Sequence, residues 1–267
     1  MKPLIHIDTD PKLIRELIKE NRWIHIKNKN LIPCKELVDF YKSIGTCHTQ
    51  DESFMSDEYI NEFSEGYREL IPVRNKYISG YGEHGLFAGE EDGEVLWHNA
   101  SNNHDADEDV VGFCIRKLGI GGDLSLCDKQ LAYEDSNTTA LDDIEVEYPI
   151  GGWKNMPEDR WNFKNYKTSD GAPLYLKENK YKPLVTINPL NGKKGFSYSF
   201  LQAIGYKNYQ DDEFQKIHHT VVDSLMSNVW VHKFELGDII LQEQHHTLHR
   251  RAPYSGDRLL YRTAIWF

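Results

Sequence analysis

The chain is poor in the features that would place it in a membrane, outside the cell or on a nucleic acid. No apolar run approaches the length needed to span a bilayer, and the opening residues MKPLIHIDTDPK lack the basic start, apolar block and small-residue cleavage site of a secretion signal. A cytoplasmic protein is the expectation. Cysteine is scarce: Cys34, Cys47, Cys114 and Cys127 lie far apart with no C-x-x-C pair, which argues against a disulfide framework and a zinc knuckle and for reduced thiols. Basic charge is short too. There are 31 Lys and Arg against 42 Asp and Glu, a net charge of -11, so neither a nucleic-acid partner nor an anionic membrane is expected. Internal repeats and low-complexity tracts are also missing. A small-molecule ligand is the remaining expectation.

What is there suffices for a full core. With 267 residues, 39% of them hydrophobic, a single domain over residues 1–267 is expected. DPKLIRELIKEN reads as an amphipathic helix, with Asp10 as N-cap, Pro11 in the first helical position and Leu13, Ile14, Leu17 and Ile18 at helical spacing. After the strand-like RWIHIKN comes a second helix, CKELVDFYKSIG, stopping at Gly45. From about residue 76 the pattern turns to short β segments: KYISGYG, EVLWHNA, VVGFCIRKLG, DLSLCD, KPLVTINP, GFSYSF, VWVHKFELGDIIL and RLLYRTAIWF. Many short strands punctuated by Gly, Asn and Pro point to a mostly β sandwich or barrel with flanking helices. A further helix around EFQKIHHTVVDSLMSN carries Phe214, Ile217, Val221 and Leu225 on one stripe. The long, polar, aromatic stretch over about residues 145–180 reads as an insertion, either a lid over a site or a surface excursion.

Two stretches carry the chemistry. In WHNAS, side chains two apart on a strand share a face, so His98 and Ala100 point the same way. A strand with His at one position and a carboxylate two residues on, joined by a distant second His, builds the facial triad of non-haem iron(II) enzymes. Here the carboxylate is missing. The C-terminal stretch offers His245, His246 and His249, then Arg258 and Arg262 four apart on what should be the last strand. Spacing alone leaves a zinc site and ordinary surface histidines both open.

In motif order the sequence resembles the taurine dioxygenase and clavaminate synthase type of iron(II)- and 2-oxoglutarate-dependent oxygenases, over nearly its whole length. Residues 11–45 are similar to the family's opening of helix, strand and helix ending in Gly. Its W-H-x-D/E motif falls on Trp97, His98, Asn99 and Ala100; its Gly-Gly-Asp turn on Gly121, Gly122 and Asp123, followed by the helix-like KQLAYED. KPLVTINPLNGKKGF resembles a family strand pair. The closing G-D-x-x-x-x-D-N-x-x-x-x-H-x-R motif falls on Gly237, Asp238, Glu243, Gln244, His249 and Arg251, with Glu-Gln for Asp-Asn.

The resemblance implies a double-stranded β-helix, or jelly roll, with Fe(II) held by His98 and His249 near one open end. Arg258, nine residues after His249, would take the distal carboxylate of 2-oxoglutarate, and Arg262 a second anionic group on cosubstrate or substrate. Many relatives bind 2-oxoglutarate through a Thr after Gly-Gly-Asp; Leu124 stands there. Ala100 is the larger departure. The leading expectation is a halide, chloride or bromide, in the vacated position, making a halogenase that acts on an unactivated C–H bond with molecular oxygen. Water in that position, or Asp105 or Asp107 substituting, would make a hydroxylase. A third reading is a ligand-binding relative without turnover, or an alanine introduced to disable the site. The acidic run HDADED and Arg262 suit a zwitterionic or cationic amino acid as substrate, with Trp153 and Trp161 in a covering lid.

Overall fold

The structure, a computed structural model, describes residues 4–49, 56–74, 95–99, 108–136, 139–148, 180–201 and 203–267. It is a double-stranded β-helix: two mainly antiparallel sheets face each other, and helices cover their outer faces. The larger sheet runs Leu4–Ile5, Trp23–Ile26, Ile239–Glu243, Val110–Lys117, Leu259–Trp266, Thr46–Cys47, with Ile71–Arg74 also paired to Leu259–Trp266. The smaller runs Val229–His232, Leu124–Asp128, Thr247–Arg251, Val95–His98.

Alternation along each strand sorts the side chains. In Val110–Lys117, Val111, Phe113 and Ile115 point between the sheets, joining Trp23, Leu124, Leu126, Ile240 and Leu260. Val110 and Cys114 point outward, joining Ile24, Ile26, Ile239 and Leu241 under the first two helices. On the far side, Cys127 and Leu248 pack with Phe214, Val221 and Leu225 of helix Asp211–Ser227. The inner face of the smaller sheet thus receives Thr247, His249 and Arg251, whereas Leu248 serves an outer core.

Local signals account for the helices. Asp10 accepts the Lys12 N–H, and helix Pro11–Asn21 buries Ile14 and Ile18 while Leu13 stays exposed. Helix Cys34–Ile44 ends at Gly45, but Gly45 is extended, with φ -173°. The glycine is required by a close approach instead: an added Cβ would collide with the Trp266 carbonyl and lie 2.7 Å from Ile265 Cγ2. Helix Asp57–Ser64, absent from the sequence reading, starts at Ser56, whose Oγ accepts the Tyr59 N–H. Its signal was the Ser-Asp-Glu start, too short a segment for periodicity to reveal.

Two boundaries move. VWVHKFELGDIIL is not one strand; Val229–His232 lies in the smaller sheet and Ile239–Glu243 in the larger, because Gly237 at φ +88° turns the chain between them. The stretch expected as an insertion over 145–180 opens in a strand, Glu145–Tyr148, whose Val146 and Tyr148 are core residues. That strand pairs antiparallel with Lys180–Pro183 at the other end of the stretch, Tyr148 opposite Lys180. Residues 149–179, with Trp153 and Trp161, lie outside the described residues.

Of the four cysteines, all free, Cys34, Cys114 and Cys127 are buried. Among the described residues no helix is long and apolar enough to cross a membrane.

Candidate functional site

His98 ends strand Val95–His98 and stands opposite His249 in register on the neighbouring strand Thr247–Arg251. Both side chains are buried and face inward, with ring centroids 4.2 Å apart. Phe113 from the larger sheet closes edge-on against His249 at 5.0 Å. Burial, with His98 and the Arg262 charge nearby, holds His249 well below the ordinary imidazole range. Its ring is therefore neutral at physiological pH, the form a metal ligand needs.

The turn before His249 is built by Glu243. Its buried carboxylate accepts the N–H groups of His245 at 2.8 Å and His246 at 3.0 Å. His245 then turns to Asp109, 3.1 Å from its Nε2, and His246 to Thr186 at 2.9 Å. Of the three clustered histidines, only His249 lines the cavity with His98. Gln242, on the inner face of its strand, lies 3.2 Å through Nε2 from His249 Nδ1 and 2.7 Å from Thr247 Oγ1, while its Oε1 is buried without a hydrogen-bond partner. A His that ligates through Nε2 carries its proton on Nδ1. Turning the Gln242 amide over places the orphaned Oε1 where that proton is donated, so the surroundings fit a metal on the cavity side of His249.

The two histidines open into a partly enclosed cavity. Val73, Phe113, Leu124, Phe234 and Leu260 form its apolar wall; Arg251, Arg258 and Arg262 supply positive charge. Arg258 immediately precedes strand Leu259–Trp266 rather than lying within it. It is buried, donates to the Gly122 carbonyl at 3.3 Å and lies over the rings of Tyr254 and Phe234, at 5.3 and 5.7 Å. Gly122 sits at φ +77°, and a Cβ there would come within 3.0 Å of Arg258 Nε. Burial and then the Arg251 charge lower Arg258 to about 10, so it remains a cation facing a second cation.

Arg262 is already partnered: its Nη2 is 2.6 Å from Glu108 Oε1, and both side chains are largely buried. Glu108 and Asp109, the tail of the acidic run HDADED, are thus structural rather than solvated; Asp109 also accepts the Phe267 N–H at 2.8 Å. Ala100, Asp105 and Asp107 lie outside the described residues. Among the described residues, no carboxylate joins His98 and His249 in a three-residue ligand cluster.

Arg251 stands in the closing motif without a role of its own, Glu108 only within the acidic run HDADED, and Gln242 in no motif at all. Strand alternation was enough to find Arg251, two residues after His249; Gln242 and Glu108 become neighbours of the site only through cross-strand packing.

The model of the taurine catabolism dioxygenase family, TauD and TfdA, matches residues 2–264. Among solved structures, the chain is similar to AAD-2 in complex with Mn(II) and N-oxalylglycine, at 15% identity and a TM-score of 0.66, covering 98% of this chain and 90% of that one. It is similar to a taurine dioxygenase from Burkholderia xenovorans, also at 15% and 0.66, covering 98% and 83%. PvcB from Pseudomonas aeruginosa shares 9% identity at a TM-score of 0.64, covering 98% and 82%. No curated protein matches by sequence. The family model points to a dioxygenase and the solved structures to the fold, and none of them supports the halogenase expectation or a chloride ligand.

Proposed function

The chain belongs to the taurine catabolism dioxygenase family, TauD and TfdA, and on that premise we propose that it is an iron(II)- and 2-oxoglutarate-dependent dioxygenase that hydroxylates a C–H bond of a small molecule. The observation that carries this reading is the His98–His249 pair, in register with ring centroids 4.2 Å apart, lining one cavity together with Arg251, Arg258 and Arg262. Iron(II) bound there, with 2-oxoglutarate and molecular oxygen, supplies the oxidation, releasing succinate and carbon dioxide.

In this reading His98 and His249 hold the metal, and Gln242 orients His249 through its Nδ1 proton. Arg258 takes the distal carboxylate of 2-oxoglutarate, and Arg251 adds charge from the neighbouring strand. Leu124, Phe234 and Leu260 exclude water from the cosubstrate, and Leu124 supplies an apolar contact in place of the missing hydroxyl. Arg262, which lines the cavity beside the two histidines, is the contact for an acidic group of the substrate, in keeping with a free amino acid.

A halogenase is the second reading. It rests on Ala100, two residues beyond His98, and on the lack, among the described residues, of a carboxylate beside the two histidines. One experiment tests both. Purified protein is given Fe(II), 2-oxoglutarate, oxygen and a panel of amino acids, with and without chloride or bromide, and product masses are read. Halide-independent products heavier by one oxygen support the hydroxylase. Halide-dependent halogenated products support the second reading, and no substrate-stimulated turnover with any amino acid removes that substrate class.

A further inference from the structure

A second set of metal-binding side chains lies where the two sheets meet, away from His98 and His249. His25 and His232 belong to strands of different sheets that pack face to face. Trp23 stacks on Trp230 with centroids 5.9 Å apart, and one step along, His25 meets His232 at 4.5 Å. Asp238, at the end of the Gly237 turn, reaches between the imidazoles: its Oδ1 is 3.1 Å from His25 Nε2 and its Oδ2 3.2 Å from His232 Nε2. One ligand atom from each of the three lies within 4.8 Å of the others.

Hydrogen bonding explains only part of this cluster. Asp238 Oδ2 accepts from Glu235 N–H at 2.8 Å and pairs with His232. The Oδ1 side differs: His25 Nε2 and Asp238 Oδ1 are close, yet neither makes a hydrogen bond, although Asp238 is almost wholly buried. Close approach without alignment is what donors directed at a shared third point produce. Metal bonds of about 2.0–2.1 Å in tetrahedral geometry set neighbouring ligand atoms about 3.3 Å apart, close to the 3.1 Å between His25 Nε2 and Asp238 Oδ1.

We propose that His25, His232 and Asp238 form a second metal site, for a divalent ion of the zinc class, with two imidazoles and one carboxylate as ligands. Such an ion would pin Val229–His232 to the larger sheet. Its reach extends to the cosubstrate pocket: His232 packs edge-on against Phe234 at 4.8 Å, and Phe234 lies beneath Arg258.

The test is a Co(II) titration of the metal-free full chain, read by visible absorption and by bound-metal stoichiometry. The His98→Ala/His249→Ala variant should still bind one equivalent, with the bands of a low-coordinate nitrogen and oxygen site, and adding His25→Ala should remove it. His25→Cys, at the most exposed ligand, should add a near-ultraviolet thiolate-to-cobalt band absent from the parent chain. Zn(II) should raise the thermal midpoint of the His98→Ala/His249→Ala chain and not of that chain with His25→Ala added. No cobalt bound in the His98→Ala/His249→Ala chain, or equal binding with and without His25 together with no new band in His25→Cys, overturns the site. Loss of metal from the His98/His249 pair alone bears on the iron reading and not on this one.

Discussion

Replacing Arg258 with Gln should weaken 2-oxoglutarate binding by about 30- to 700-fold while leaving iron binding and folding intact. Arg258 is 3% exposed, so any anion it meets is held away from water. Removing one partner of a buried, hydrogen-bonded charge pair costs about 2–5 kcal/mol. Arg251 faces the same cavity and keeps part of the attraction, which places the loss at about 2–4 kcal/mol, converted at about 1.4 kcal/mol per decade. Folding should not suffer, because the substitution also relieves the repulsion from Arg251 and removes a buried charge. Arg258→Lys keeps charge but loses the planar fork, and should fall between the two. Gly122→Ala provides an independent approach to the same contact: at φ +77° and 3.0 Å from Arg258 Nε, a methyl group must displace the arginine, strain the turn or do both. The assay is anaerobic calorimetric titration of 2-oxoglutarate into Mn(II)-loaded protein. An Arg258→Gln affinity within about threefold of the parent would refute the assignment, and a steep loss confined to Arg262→Gln would move the role to that residue.

Three further outcomes follow from the geometry. Gln242→Leu removes the partner of His249 Nδ1 and should weaken metal binding about 10- to 100-fold, read by competition with a chelator; unchanged affinity would show that the amide does not orient the ring. Glu108→Gln leaves Arg262 buried beside a neutral amide, and breaking such a pair costs about 3–5 kcal/mol, visible as a lower urea midpoint; a substitution without effect would mean that water or a ligand already compensates Arg262. Gly45→Ala should destabilise by about 1–3 kcal/mol through overpacking against Trp266 and Ile265, measured by thermal unfolding, with wild-type stability as the contrary result.

Local order was legible in the chain because it depends on neighbours in sequence. Asp10 and Pro11 start the first helix, Phe214, Val221 and Leu225 mark the inner stripe of the last, and the spacing of His98, Gly122, His249 and Arg258 carries the family pattern. What lies beyond local order depends on which strands face each other. Gly45 looks like a helix stop, yet the reason for it is the Trp266 carbonyl more than two hundred residues away. Glu108 looks like part of a solvated acidic run until folding buries it against Arg262. His25 lies about two hundred residues before His232 and Asp238, so the cluster they form leaves no spacing to read. Periodicity assigns each side chain to a face; only the packing of the two sheets decides which faces meet, and therefore which charges, imidazoles and orphaned polar atoms become neighbours.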